Sequence, residues 1–152
     1  MNITAHPQAA RPEPLNRSEF KAFQHIPTRW MDVDIYGHVN NVQYLSFFDT
    51  AVNSWYVDKK LLDPLKSPEI FLVVETGCHY FAELTFPAII SAGLKVEKLG
   101  STSVIFRVGL FAGESETTAA HGRFVHVHVA RENRRPCPIP DWKRGILEGL
   151  TA

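Results

Sequence analysis

The stretch T-R-W-M-D-V-D-I-Y-G-H-V-N-N-V-Q-Y, residues 28–44, changes character twice. It opens at the end of an alternating segment, Phe23 to Met31, with Ile26, Thr28 and Trp30 on one side, the pattern of a β-strand. Pro27 cannot donate to a ladder, so its position is expected at a sheet edge or a bulge. The Asp, Gly and Asn content of D-V-D-I-Y-G-H-V-N-N then marks a turn. From there the chain runs directly into a segment where Leu45, Phe48, Val52, Trp55 and Tyr56 recur at helical spacing, with Asn40 or Asn41 placed to cap the start. Tyr44, Phe47 and Ala51 widen the apolar surface beyond a single stripe, so this helix needs cover on most sides.

Working outward, a turn region with Asp63-Pro64 and Ser67-Pro68 precedes four strand-like runs: about 71–81, 89–99, 103–111 and 119–130. Short links join them, Gly100-Ser101 among them, which favours antiparallel neighbours. In the last run Val125, Val127 and Val129 alternate with Phe124, His126 and His128. A Pro-rich segment leads to a short terminal helix from about Asp141. One strand, one long helix and four strands give an α+β fold, with an antiparallel sheet wrapped around the helix. Residues 1–18, rich in Pro, Ala and polar residues, are expected to be a flexible tail before a single domain over 19–152.

The turn that feeds the long helix carries the candidate chemistry. The first amides of a helix lack internal partners and carry partial positive charge, which stabilises a carbonyl oxygen that gains negative charge. A carboxylate beside them attacks the carbonyl carbon or activates water against it. Gly37 lets backbone approach a substrate closely. Asp-x-x-Gly before a helix is also common as pure capping chemistry.

The same stretch resembles the signature of the hotdog-fold acyl-CoA thioesterases, the group that contains 4-hydroxybenzoyl-CoA thioesterase. The shared pattern is W-x-D-x-D-x-x-G-H-V-N-N-x-x-Y, here Trp30, Asp32, Asp34, Gly37, His38, Val39, Asn40, Asn41 and Tyr44. V-V-E-T-G-C-H-Y-F (73–81) and L-G-S-T-S (99–103) are similar to that family too, and the resemblance spans about residues 25–140. It implies a long central helix wrapped by a five- or six-stranded antiparallel sheet. It implies a homodimer or dimer of dimers with active sites at the subunit interface, and hydrolysis of an acyl-CoA or acyl-carrier-protein thioester without a cofactor. Asp34 inherits the role of catalytic carboxylate, as nucleophile or general base, and Asp32 that of a structural partner. Backbone amides around Gly37, Val39, Asn40 and Asn41 would polarise the carbonyl. Plant acyl-carrier-protein thioesterases carry a similar H-V-N-N motif with a histidine and a later glutamate, matched here by His38 and Glu75. They carry asparagine where this chain has Tyr36, and His38 equally suits a turn histidine.

In the hotdog thioesterases the middle hairpin often contacts the nucleotide, which points to Lys98, Gly100, Ser101, Thr102 and Ser103 as coenzyme A ligands. Arg131, Arg134 and Arg135 form a further basic cluster. Tyr44, Phe47 and Phe48 are candidate acyl liners as well as core residues. Two other activities share this fold, hydration or dehydration of an acyl thioester and non-catalytic thioester binding.

The remaining residues narrow the function classes. Sixteen basic residues balance sixteen acidic ones, so no broad field draws in nucleic acid or an anionic membrane. His126 and His128 share a strand face without a partner motif and read as half-buried or interface histidines, not metal ligands. Cys78 and Cys137 lack C-x-x-C spacing and are too few for a disulfide framework. The N-terminus has no apolar core of a signal peptide, and no run approaches the ~20 apolar residues of a membrane helix. The cytoplasm is the expected compartment.

Overall fold

The structure is a computed structural model that describes residues 10–152. Its elements are β1 (Ala22–Pro27), α1 (Asn41–Asp58), β2 (Glu69–Thr76), β3 (His79–Tyr80), β4 (Ile89–Leu99), β5 (Ser103–Ala112), β6 (Ala120–Ala130) and α2 (Asp141–Glu148). All strand pairings are antiparallel, in the order β1-β4-β5-β6-β2, with β3 also paired to β6. The sheet curls around α1. This is the hotdog fold, α+β, with the long helix as its filling.

Two strand boundaries differ from the sequence pattern. The first strand stops at Pro27, and Trp30–Asp32 form a 3-10 turn. The alternation through Met31 is broken because Asp32 bonds backward to the Arg29 amide. The run at 71–81 is divided at Gly77-Cys78 into β2 and β3, although the register against β6 runs on across the break, with Thr76 opposite Phe124, the Gly77 amide donating to Arg123 O and His79 opposite His121. Pro27 lies on the edge strand β1, where a missing donor is tolerated.

The wide apolar face of α1 is explained by what covers it. Phe48, Ala51, Val52 and Tyr56 are fully buried against inner-face residues of the sheet such as Leu94, Phe106, Val108 and Phe124. At the foot of the helix Tyr56 stacks on Phe71 at 4.5 Å, and its hydroxyl pairs with His126 Nδ1 at 2.8 Å. His126 and His128 are therefore fully buried, not half-buried. His128 Nδ1 donates to Cys137 O at 3.0 Å, and its Nε2 meets the buried Lys143 Nζ of α2 at 3.1 Å. Each ring nitrogen named here has a protein partner.

The expected tail is docked from Glu13 onward, where Glu13 O accepts His121 Nε2 at 2.8 Å. Leu15 N donates to Thr118 Oγ1, Thr118 N to Leu15 O, and Arg17 reaches Ser115 O and Gly113 O. Phe20 then plugs a notch on the outer face of the sheet, where a Cβ on Gly93 or Gly109 would stand 2.7 or 2.5 Å from its ring. Residues 1–9 of that expected tail lie outside the described residues.

Burial lowers the pKa of His126 to about 3. An unfolded chain takes up that proton near the ordinary value of about 6.5, so stability is whole above that pH and falls as pH drops toward 3. This group alone is expected to remove about 2.5 kcal/mol between pH 6.5 and 4.5. Urea unfolding at both pH values tests this against His126→Gln, which keeps an acceptor for Tyr56 and should show a shallower pH dependence.

Candidate active site

The loop between β1 and α1 is locked before it reaches the helix. Asp32 is completely buried; its Oδ2 accepts the Arg29 amide at 2.7 Å and its Oδ1 the Arg29 guanidinium at 2.8 Å. Its carbonyl accepts the Asn40 amide at 2.8 Å, so the two ends of the loop are tied through one residue. Between them the chain makes a narrow hairpin. Val33 bridges Val39, Asp34 N donates to His38 O at 2.9 Å, and Gly37 N donates to Asp34 O at 3.1 Å. Gly37 closes the hairpin at φ +82°, a conformation that residues with a Cβ rarely adopt.

This geometry leaves one carboxylate partly free. Asp34 Oδ1 accepts the Tyr36 amide at 2.8 Å, while among the described residues Oδ2 has no hydrogen-bond partner. The hairpin delivers the chain to α1, where Asn40 Oδ1 accepts the Val42 amide at 3.1 Å as the N-cap. The Gln43 amide returns to Asn40 O, and the Val39 amide donates to Leu84 O. Among the described residues the Asn41 amide has no acceptor. A half-free carboxylate and an open helix-terminal amide thus border one space.

That space is a cleft of about 520 Å³. Asp34, His38, Val39, Asn40, Asn41 and Tyr44 all border it, so six of the residues singled out in the sequence come together. Gly37 shapes the loop without lining the cleft. The far wall is Tyr80, Phe81, Ala82 and Glu83. Tyr80 donates its hydroxyl to Asn41 O at 3.1 Å and meets Tyr44 edge-on at 4.8 Å between ring centroids. Glu83 pairs with His38 Nε2 at 2.7 Å. Burial pushes the Tyr44 phenol up, the Tyr80 phenol to about 12 and the nearby Cys78 thiol to about 11, so all three are neutral near pH 7.

Other sequence candidates lie elsewhere. Glu75 sits on β2 with its carboxylate held by Arg123 at 2.7 Å and does not border the cleft; the register shift after Val73 and the exposed end of the strand carry it outward. The hairpin with Lys98, Gly100, Ser101, Thr102 and Ser103 is at the opposite end of β6. Ser103 pairs with Val127, whereas the cleft wall bonds to Ala119, a separation of about 25 Å at ~3.3 Å per residue. Its carbonyls hold β6 and the C-terminal segment: Thr102 O accepts His128 N, Ser101 O accepts Ile139 N, and Gly100 O accepts the Arg144 guanidinium. Arg131 clamps Ser67 O and Pro64 O. Phe47 and Phe48 are core, not cleft. Glu83 and Ala82 escaped the sequence reading because they belong to a loop without a motif, and only the fold brings that loop to the helix start. Among the described residues no group of three or more His, Cys, Asp or Glu is arranged to hold a metal ion.

The architecture and site define a hotdog-fold protein with a carboxylate at a helix N-terminus. Comparison with known proteins places it more narrowly. A profile of the thioesterase-like superfamily matches residues 28–147, and the chain belongs to that superfamily. It is similar to the crystal structure of the PA5185 protein from Pseudomonas aeruginosa strain PAO1, with 45% identity over 92% of this chain and 98% of that one, at a TM-score of 0.89. It is also similar to a thioesterase from Thermus thermophilus complexed with coenzyme A and zinc, with 26% identity over 87% and 95% of the two chains and a TM-score of 0.72. A 1,4-dihydroxy-2-naphthoyl-CoA thioesterase from Synechocystis shares the fold at 18% identity over 82% and 93% of the chains, TM-score 0.72. Comparison with curated protein sequences finds no match.

If Asp32 is the knot of the loop, Asp32→Asn should destabilise the protein by about 2 kcal/mol, because a buried charged acceptor for Arg29 is lost. Chemical denaturation measures this; an unchanged unfolding midpoint would show that the knot contributes nothing.

Proposed function

We propose that this chain hydrolyses the thioester of an acyl group carried on coenzyme A or an acyl-carrier protein, with Asp34 as the reacting carboxylate. The observation that carries this reading is that Asp34 and Asn41 border one cleft, and that among the described residues neither Asp34 Oδ2 nor the Asn41 amide has a partner. The amide stabilises the carbonyl oxygen as it becomes negative. Asp34 either attacks the carbonyl carbon, forming an anhydride that water then opens, or removes a proton from the water that attacks. In both routes the C–S bond breaks, the thiolate takes up a proton, and free acid and thiol leave. His38, held by Glu83 across the cleft, is positioned to supply that proton. Glu75, held by Arg123, has no part in this scheme.

The working unit in this reading is a homodimer. Among the described residues β2 is an edge strand with one side of its ladder unpaired, and Leu72, Val73 and Val74 stand exposed along it. Tyr36 at the rim of the cleft and its neighbour Ile35, 77% and 93% exposed, also need cover. With the Lys98–Ser103 hairpin so far from its own cleft, a nucleotide bound there would belong to a thioester in another subunit's cleft. The bound coenzyme A of the Thermus relative supports the carrier assignment. No helix among the described residues is long and apolar enough to cross a membrane, and the cytoplasm is the compartment where such thioesters would be met.

Asp34→Asn keeps an Oδ1 acceptor for the Tyr36 amide and removes the charge. It is expected to lower kcat on acyl-CoA substrates by about a thousandfold or more while the melting temperature and ligand affinity change little. Thiol release followed with a thiol reagent measures this, and near-normal turnover would exclude Asp34. Release of no thiol from any acyl-CoA would favour a binding protein, and an enoyl product a hydratase or dehydratase. Sedimentation equilibrium should give a homodimer or a dimer of dimers, and Val74→Asp on the β2 edge should shift it toward monomer.

A further inference from the structure

A thioester enters the cleft with its carrier arm trailing to solvent, so the acyl group is the part that points inward. Inward here means from the exposed rim, Tyr36 and Glu83, toward Val39 and Tyr44, which are each only 4% exposed. That path ends at a wall. The Tyr44 and Tyr80 rings meet edge-on at 4.8 Å, and Tyr80 is pinned by its hydroxyl to Asn41 O.

Behind the wall there is no room to continue. The next residues of α1, Phe47 and Phe48, are packed in the core and do not border the cleft. Beyond them β6 lies close against the chain before β3. A Cβ on Gly122 would stand 1.9 Å from Gly77 O and 2.6 Å from Phe48 Cε2. The helix face that would guide a long chain is already filled by protein. The wall is uncharged, as phenols are near pH 7, and its rings offer edges and faces that suit another planar ring.

We infer that the Tyr44–Tyr80 wall makes this protein selective for compact acyl groups, an aryl ring or a short chain, and against long straight chains. The inference rests on the hydrolase reading above and names its substrate class.

The test uses benzoyl-, hexanoyl- and dodecanoyl-CoA. In the wild type kcat/KM for the first two should exceed that for dodecanoyl-CoA by roughly tenfold or more. Tyr80→Ala removes one half-exposed ring of the wall and should narrow that ratio by raising dodecanoyl turnover. A wild type that takes dodecanoyl-CoA as well as hexanoyl-CoA, or a ratio unmoved in a folded Tyr80→Ala protein, overturns the inference. The same three thioesters are titrated calorimetrically into Asp34→Asn protein. If the wild type hydrolyses none of them, the hydrolase reading fails, yet tighter binding of the compact pair would still support the wall. Equal affinities for all three would overturn it.

Discussion

One constraint organises this molecule: α1 is apolar on too much of its surface to lie on a flat sheet. A helix that packs on one face exposes the other; here Phe48, Ala51, Val52 and Tyr56 are all driven to full burial, and the sheet must curl to reach them. At roughly 25 cal/mol per Å² of apolar surface removed from water, burying several aromatic side chains at once is the largest favourable term available to a chain of this size. The curl fixes where everything else goes. It sets β1 and β2 as the edges and leaves one mouth open at the helix N-terminus.

The open mouth follows from backbone chemistry. The first turn of a helix has amides without internal partners, and burying them would require a partner for each. The chain provides three: Asp32 O for Asn40, the Asn40 side chain for Val42 and Asn40 O for Gln43. The amide of Asn41, a residue that borders the cleft, has no acceptor among the described residues. The Asp32 knot holds this arrangement still by tying Arg29 at the end of the strand to Asn40 at the start of the helix. Two acids separated by one residue therefore do unlike things. Asp32 is saturated and buried, whereas Asp34 keeps an oxygen without a partner.

The polar groups packed far from the cleft serve the wrap itself. Tyr56 and His126 satisfy one another within a shell of Phe71, Phe106 and Phe124. His128, Cys137 and Lys143 fasten the C-terminal helix over the other end of the sheet. A buried histidine is tolerated there only while neutral, which is why acid is the condition that strains this fold.

The sequence by itself determined the class of fold and the position of its most reactive loop. Apolar spacing along 44–56 announced the helix, alternation announced the strands, and D-x-D-x-x-G-H-V-N-N announced a carboxylate before a helix start, because these are local patterns set by neighbours in the chain. What local pattern does not carry is which distant segment closes a site. Tertiary structure alone brought Tyr80 against α1 and Glu83 against His38, sent Glu75 outward to Arg123, and placed the 100–103 hairpin at the far end of β6. It alone buried His126 and His128 completely, where the sequence suggested half-buried or interface histidines. Spacing along a chain fixes which side of a strand or helix a residue occupies; the depth of that side, and what stands opposite, are fixed only when the sheet closes around the helix.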